Sequence, residues 1–552
     1  MFLMTFGSII LAILAFIFVL GSIILIHEGG HFYFAHKCGV LCREYAFGMG
    51  PRLIGKKKGE TTYAINAFPI GGYVAIAGEE KEADPLKGVE KVRLVIEDEI
   101  VKKICFEVDN VLFSDLPLFD LVAYDLYDEA QTGELYIDVK EEDNVKRYKV
   151  DDKAEYIYAT YKKREVDLNK KEKYISSLQI APYNRQLNSK KIGQRAMVMF
   201  GGPMMNFVLA IVVFIISAFI MGVSNTKSTV LSSVSEGTPA YIAGLDEGDK
   251  ILSLHANGES ELLVETKTWS DISSFMEQYE NGNYNDVITI RYLDDETDSQ
   301  KEVNIRPMVL IYSISMYEDI SSDEVKIAAL AKKSKAYLAG LREGDIITKV
   351  NGNEINTWKD VYSEFKKIEE AKQKVTVCVN REGEAEELSF EVTPYSKKLF
   401  ERTQNVSYVA MQIGISPTNT RNPLLCLKAA FVNMYSCVKQ LAVTLWMLIT
   451  SSEVGIRDLS GVVGIFSLTS DAASNGFGYL LYWMGFLSVN VGFMNLLPIP
   501  ALDGGRLMFL LIEAIRKKPV SQKIQDLSIN ITMILLFALM GFTIINDILR
   551  FF

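Results

Sequence analysis

Charged residues are absent from four long stretches of the chain: 1–26, 196–226, 472–502 and 527–546. Crossing a bilayer takes about 20 apolar residues in a row, so each stretch predicts a transmembrane helix. The first could pass for a secretory signal by position. It has no basic leader and no small-residue cleavage site, and it is too long for a signal's apolar segment, so it is read as a retained helix. A fifth stretch, 424–450, is apolar but interrupted by Lys428 and Lys439, and reads as an amphipathic helix on the membrane surface. The flanks set the orientation. Lys37, Arg43, Arg52 and Lys56 to Lys58 follow the first span, and Lys190, Lys191 and Arg195 precede the second. Arg506, Arg516, Lys517 and Lys518 lie between the third and fourth. Basic loops stay in the cytoplasm, which places 227–471 and both termini outside.

The remaining segments alternate polar and apolar positions and read as soluble parts. Residues 79–173 carry 26 acidic against 17 basic side chains. Strand-like patches such as Lys91–Glu97 and Glu134–Val139 predict a small, mostly β accessory domain over 79–180, its charge spent on a solvated surface. The external segment repeats itself: Ala240-Tyr-Ile-Ala-Gly-Leu-Asp-Glu-Gly-Asp-Lys-Ile251 returns as Ala336-Tyr-Leu-Ala-Gly-Leu-Arg-Glu-Gly-Asp-Ile-Ile347, 96 residues on. Each copy reads as a short helix ended by glycine, an acidic turn and a strand. With Val350-Asn-Gly352 after the second copy, and Leu254-His-Ala-Asn-Gly258 as a looser version in the first, the pattern resembles PDZ domains. PDZ domains bind extended peptides at a sheet edge; the bland alternative is a pair of folded spacers.

Composition agrees with a chain of greasy and soluble parts, since 49% of its 552 residues are hydrophobic and 23% charged. A net charge of −11 argues against nucleic acid as partner. Six cysteines are too few for a disulfide scaffold. Cys38 and Cys42 lack the second pair a structural zinc site needs, Cys426 and Cys437 read as apolar packers, and Gly201-Gly202 lacks the lysine and serine of a phosphate loop.

The candidate chemistry begins where the first apolar run ends, at His27-Glu28-Gly29-Gly30-His31. Residues four apart share a helix face, so His27 and His31 can address one ion, with Glu28 beside them as a base toward water. Catalytic zinc takes three protein ligands. His36 falls about 140° round the helix from His31, and His255 lies in the external part. The remaining candidate is Asp503, the first charge after 31 neutral residues, following Pro498 and Pro500, which break the helix. A carboxylate beside unwound backbone at membrane depth indicates a lined cavity; the alternative role for Asp503 is to cap a helix starting at Gly504.

His-Glu-x-x-His in the first span and Asn495-Leu-Leu-Pro-Ile-Pro-Ala-Leu-Asp-Gly504 in the third resemble the two motifs of the site-2 protease family, the intramembrane zinc metalloproteases. Pro69-Ile-Gly-Gly-Tyr-Val74 resembles that family's membrane-embedded β segment, and Gly202-Pro-Met-Met-Asn206 its second-helix motif, read as opening that helix. Ala181-Pro-Tyr-Asn-Arg-Gln-Leu-Asn-Ser-Lys190 and the acidic insert are similar to the Gram-positive Firmicute branch. The resemblance implies a multi-pass α-helical membrane protein: four transmembrane helices plus a membrane-embedded β segment, tandem extracellular PDZ-like α+β domains, and a small cytoplasmic mostly-β insert. The corresponding boundaries are 1–35, 36–78 (β region), 79–180 (insert), 190–224, 225–310 and 311–400 (PDZ-like), 424–450 (surface helix), 472–516 and 527–547.

It further implies one Zn2+ per chain on His27, His31 and Asp503, with Glu28 as general base. Asn495, Pro498 and Pro500 would hold the substrate, and Gly71, Gly72 and Asn206 would lie close to it. The implied enzyme cuts transmembrane segments of single-pass membrane proteins already trimmed by another protease, such as anti-sigma factors, or signal-peptide remnants. The PDZ pair would dock peptide C-termini or exclude untrimmed substrates, in a bacterial cell membrane. Departures from the family pattern are Gly29 in place of a bulky apolar residue, His36 in place of an arginine, and Val462 in place of a proline in Ser460-Gly-Val-Val-Gly-Ile465. The competing reading is a membrane-anchored PDZ peptide receptor with a vestigial metal site, which would have no need of Glu28. A transporter would show inverted repeats and more helices.

Overall fold

A computed structural model describes residues 6–79, 84–128, 133–141, 144–160, 174–331, 334–368, 373–395, 408–450, 455 and 459–551. The chain forms two compact units, 1–213 with 460–552, and 214–459.

The first unit is built on helices. Helix α1, Phe6–Lys37, carries the described part of the first apolar run unbroken through His27 and His31. Helix α2 is Ile192–Met221. The Gly202–Asn206 motif therefore lies in its interior rather than at its opening, because the helix is already under way in the polar residues from Ile192 on. Pro203 sits inside it, tolerated where neighbouring helices satisfy the freed backbone. Glycines set the approach of the two helices. A Cβ on Gly30 would stand 2.2 Å from the Gly201 carbonyl oxygen, closer than any side chain permits, so only glycine lets the backbones meet there.

The third apolar run is not one helix. It is divided among the end of α3 (Val462–Ser474), the whole of α4 (Phe477–Asn495) and an unwound turn over 496–502 that leads into α5 (Asp503–Arg516). Proline at 498 and 500 stops the helix, and Gly504 and Gly505 let α5 restart against the turn. Cβ atoms there would fall 2.2 Å from the carbonyl oxygens of Leu497 and Ile499. Helix α6 spans Gln522–Phe551. Its Asp547, only 2% exposed, accepts a 2.9 Å hydrogen bond from the Gly464 N–H in the first turn of α3. Among the described residues, five helices are long and apolar enough to cross a membrane: α1, α2, α4, α6 and Pro423–Thr450, the last being the segment that its two lysines place on the surface in the sequence reading.

Between α1 and α2 run two long strands, β1 (Cys42–Lys58) and β2 (Thr61–Ile76). Their pairing doubles back: Glu44–Phe47 pairs with Gly72–Ala75 on one side and with Thr62–Ile65 on the other, while Thr62–Ile65 also pairs with Ile54–Lys57. Gly72–Ala75 thus forms an edge of the ribbon. Met49, Leu53, Ile54 and Phe68 are more than half exposed, a surface suited to lipid rather than water. The insert that follows is a six-stranded sheet in which Ile100–Cys105 pairs both with Lys91–Glu97 and, in parallel, with Asn144–Ala159. That double pairing closes five of the strands around a core including Leu94, Ile104 and Ile137.

The second unit holds the two repeats. Each has a four-stranded antiparallel sheet, a short helix before the acidic turn (Pro239–Ile242, Lys335–Ala339) and a longer one (Trp269–Asn281, Trp358–Lys366). The repeated aspartates hold the turns: Asp249 accepts from the Asp246 N–H and Asp345 from the Arg342 N–H. The copies are interlocked. Leu231–Val234 of the first pairs with Ile415–Pro417, a segment beyond the second, and Met308–Ile311 pairs with both Met316–Glu318 and Ala410–Gln412.

Candidate metal centre

His27 and His31, one turn apart on α1, turn their Nε2 atoms to within 3.3 Å of each other. Asp503, the first residue of α5, brings Oδ2 to 3.2 Å from Nε2 of His27 and 3.4 Å from Nε2 of His31. Both histidines are buried, and this trio is the one group of potential metal ligands found among the described residues. The carboxylate does not cap α5, whose N-cap, Leu502, has no side-chain bond, and among the described residues its buried Oδ2 has no partner besides the two imidazoles.

The two Nε2 atoms lie within hydrogen-bond distance of each other and of Oδ2, yet one shared proton satisfies only two of the three atoms, whereas a cation between them satisfies all three. Ligands arranged tetrahedrally about zinc at about 2.0–2.1 Å stand about 3.3–3.4 Å apart. The triangle of 3.2, 3.3 and 3.4 Å fits that spacing, and two imidazoles with one carboxylate is a donor set zinc takes in catalytic sites. On its far side, His31 donates from Nδ1 to the Val198 carbonyl oxygen at 2.9 Å. A carbonyl only accepts, so that bond leaves Nε2 of His31 bare for a cation.

Gly202 keeps the space open: a Cβ there would lie 2.3 Å from Nε2 of His31 and 2.8 Å from Cε1 of His27. Glu28, half-buried beside the pair, is met by the ribbon edge, since a Cβ on Gly72 would approach its Cγ at 3.1 Å. Gly71 has φ +77°, a left-handed backbone that favours glycine. Gly72 and Asn206 therefore stand at the centre, Asn206 with its Nδ2 at 3.1 Å from Nδ1 of His27. Asn495, at the end of α4, and Pro500 are half-buried and Pro498 is exposed, all three on or beside the turn that delivers Asp503. Gly29 is roomy, its nearest neighbour for a Cβ being the Tyr45 hydroxyl at 3.6 Å.

Gly202, Val198 and the link from Asn206 to His27 are not legible as site parts in the sequence. Gly202 does stand in a motif with Asn206, which is the available signal, but a backbone carbonyl such as that of Val198 has no residue type to betray it.

Residues 15–539 match Peptidase family M50. The regulator of sigma-W protease RasP of Bacillus subtilis is 28% identical, covering 98% of this chain and 99% of its own length. Zinc metalloproteases RasP of Shouchella clausii and Geobacillus kaustophilus are each 29% identical, over 98% of this chain and 99% and 98% of their own lengths. The chain belongs to peptidase family M50, the site-2 proteases, and is a membrane-embedded zinc metalloendopeptidase.

Proposed function

We propose that His27, His31 and Asp503 hold the zinc and that Glu28 is the general base of intramembrane proteolysis. The observation that carries this is the triangle of ligand atoms 3.2–3.4 Å on a side with Glu28 next to it. Bound there, zinc supplies Lewis acidity toward water and the scissile carbonyl. Glu28 takes the proton of the attacking water and returns it to the leaving amine, a role worth about 10²–10⁴ in rate. The edge Gly72–Ala75 offers free backbone groups to a substrate unwound into a strand, and its glycine keeps that strand within reach of Glu28. Asn495, Pro498 and Pro500 hold the opposite wall through the turn before Asp503.

The substrates are transmembrane segments of single-pass proteins shortened beforehand, with anti-sigma factors the favoured class because the Bacillus subtilis relative is named for regulating sigma-W; signal-peptide remnants share the same chemistry. Four spans, with the two PDZ-like repeats outside and the acidic insert inside, complete the reading. The receptor alternative gains no support, since Glu28 and all three donors stand together.

Zinc content and cleavage of a model transmembrane peptide in detergent test the assignment together. Glu28→Gln is expected to keep about one zinc per chain and lose cleavage, while Asp503→Asn loses both. Cleavage by Glu28→Gln at the wild-type rate would remove Glu28 from the mechanism.

A further inference from the structure

The two histidines are held differently on the side away from Asp503. His31 faces a carbonyl, that of Val198, which dictates its tautomer. His27 faces a carboxamide, that of Asn206, which can do either of two things. With Nδ2 turned to His27, as it stands, the amide donates, leaving Nδ1 bare and the proton on Nε2, the atom that faces Asp503. That tautomer offers zinc nothing. Meanwhile Oδ1 of Asn206, a residue 0% exposed, has no hydrogen-bond partner among the described residues.

Amide oxygen and nitrogen exchange places by a half-turn and fill nearly the same volume. After that half-turn Oδ1 accepts the Nδ1–H of His27, and Nε2 is bare on the side of Asp503 and His31. We propose that Asn206 is a positioning residue: in the zinc-loaded protein its Oδ1 accepts from His27 Nδ1, selecting the tautomer that ligates. The half-turn leaves the NH2 to be satisfied by water or by bound substrate, so a contact with substrate and the orientation of His27 fall to opposite ends of one amide.

Two further observations fit this role. The residue is pinned from its backbone: its carbonyl accepts from the Ser488 hydroxyl at 2.8 Å, and Gly492 of α4 lets that helix close on it, a Cβ there lying 3.3 Å from Cβ of Asn206. A carboxylate would orient His27 equally well but would add another buried charge beside Glu28 and Asp503, which is expensive at membrane depth; a neutral amide orients the ring without it.

The inference rests on the zinc assignment proposed above, so wild type is measured first. Full-length protein in detergent is loaded with zinc and titrated with a chelator, alongside Asn206→Leu and Asn206→Asp, and its thermal unfolding is followed with and without zinc. Asn206→Leu, which cannot accept, is expected to bind zinc about 10–100-fold more weakly, and Asn206→Asp, which can only accept, to bind at least as tightly as wild type. Wild-type affinity in Asn206→Leu would overturn the proposal, as would equal losses in both variants, which would make Asn206 a packing residue. Should Asn206→Leu fail to fold, Asn206→Asp decides alone: tight binding supports the role and a tenfold loss refutes it. A wild-type protein that holds no zinc would instead bring down the metal assignment itself.

Discussion

Gly202 shows how much a missing side chain can carry. In the middle of a helix, alanine is favoured over glycine by about 1 kcal/mol, so Gly202→Ala is expected to help α2 locally. Its Cβ, however, would fall inside van der Waals contact with both imidazoles. The expected outcome is a folded protein that has lost zinc, read by metal analysis beside circular dichroism; retained zinc would show that the rings can swing aside. The same comparison separates the neighbouring glycines of α1. Gly30 has no room for a Cβ, whereas Gly29 has ordinary contact distance to spare, so Gly29→Ala is expected to be neutral to stabilising in a thermal melt and Gly30→Ala damaging. The proposed ligands and base, His27, Glu28, His31 and Asp503, stand out in the sequence because histidine and carboxylate are conspicuous in apolar runs. The surfaces that aim them could not, since a carbonyl oxygen or an absent methyl group becomes visible only when another helix arrives beside it.

The departure at Val462 finds its explanation at the level of the helix it starts. Val462 is the first residue of α3, where a backbone N–H has no intrahelical partner and proline is welcome without being required. Val462→Pro is therefore expected to leave stability unchanged or raise it by about 0.4–1 kcal/mol in thermal unfolding. What α3 does need is Asp547, reaching from the far helix to the Gly464 N–H; Asp547→Ala is expected to cost about 1–2 kcal/mol, the usual worth of an N-terminal cap. In the sequence Asp547 only marked the end of a neutral run. The ribbon has a comparable tie at its tip, outside the helices. Glu60 receives two bonds from Arg185 and one from Gln179, and the guanidinium beside it holds its carboxyl well down, from 4.5 to about 2. A depressed carboxylate stabilises above its ordinary value and loses that contribution as pH falls toward the folded one. The tie between ribbon and insert is thus expected to be unchanged from pH 7 to 5 and to weaken only below about 4.5; limited proteolysis of the insert across that range reads it.

For the whole molecule the open count is the number of crossings. An even number returns the chain to its starting side, and an odd number does not. On the proposed four-span reading, with Pro423–Thr450 on the surface, both termini share one side, which the basic loops make the outside, so tags placed at either end are expected to be reached by protease added to intact cells. A tag protected at one end only would make Pro423–Thr450 a fifth span. The apolar stretches and the repeat were legible because they depend on residue type along a line. The doubled ribbon and the interlocked repeats were not, because pairing partners lie far apart in sequence and share no local mark. That interlocking has a consequence in time. The strand Leu231–Val234 cannot be paired until Ile415–Pro417 has been made, about 180 residues later in synthesis. At roughly 5–20 residues per second the first repeat waits on the order of ten to forty seconds with a sheet edge bare, while the four-stranded antiparallel sheet of the second, complete by Val392, closes ahead of it. The repeat made first is finished last.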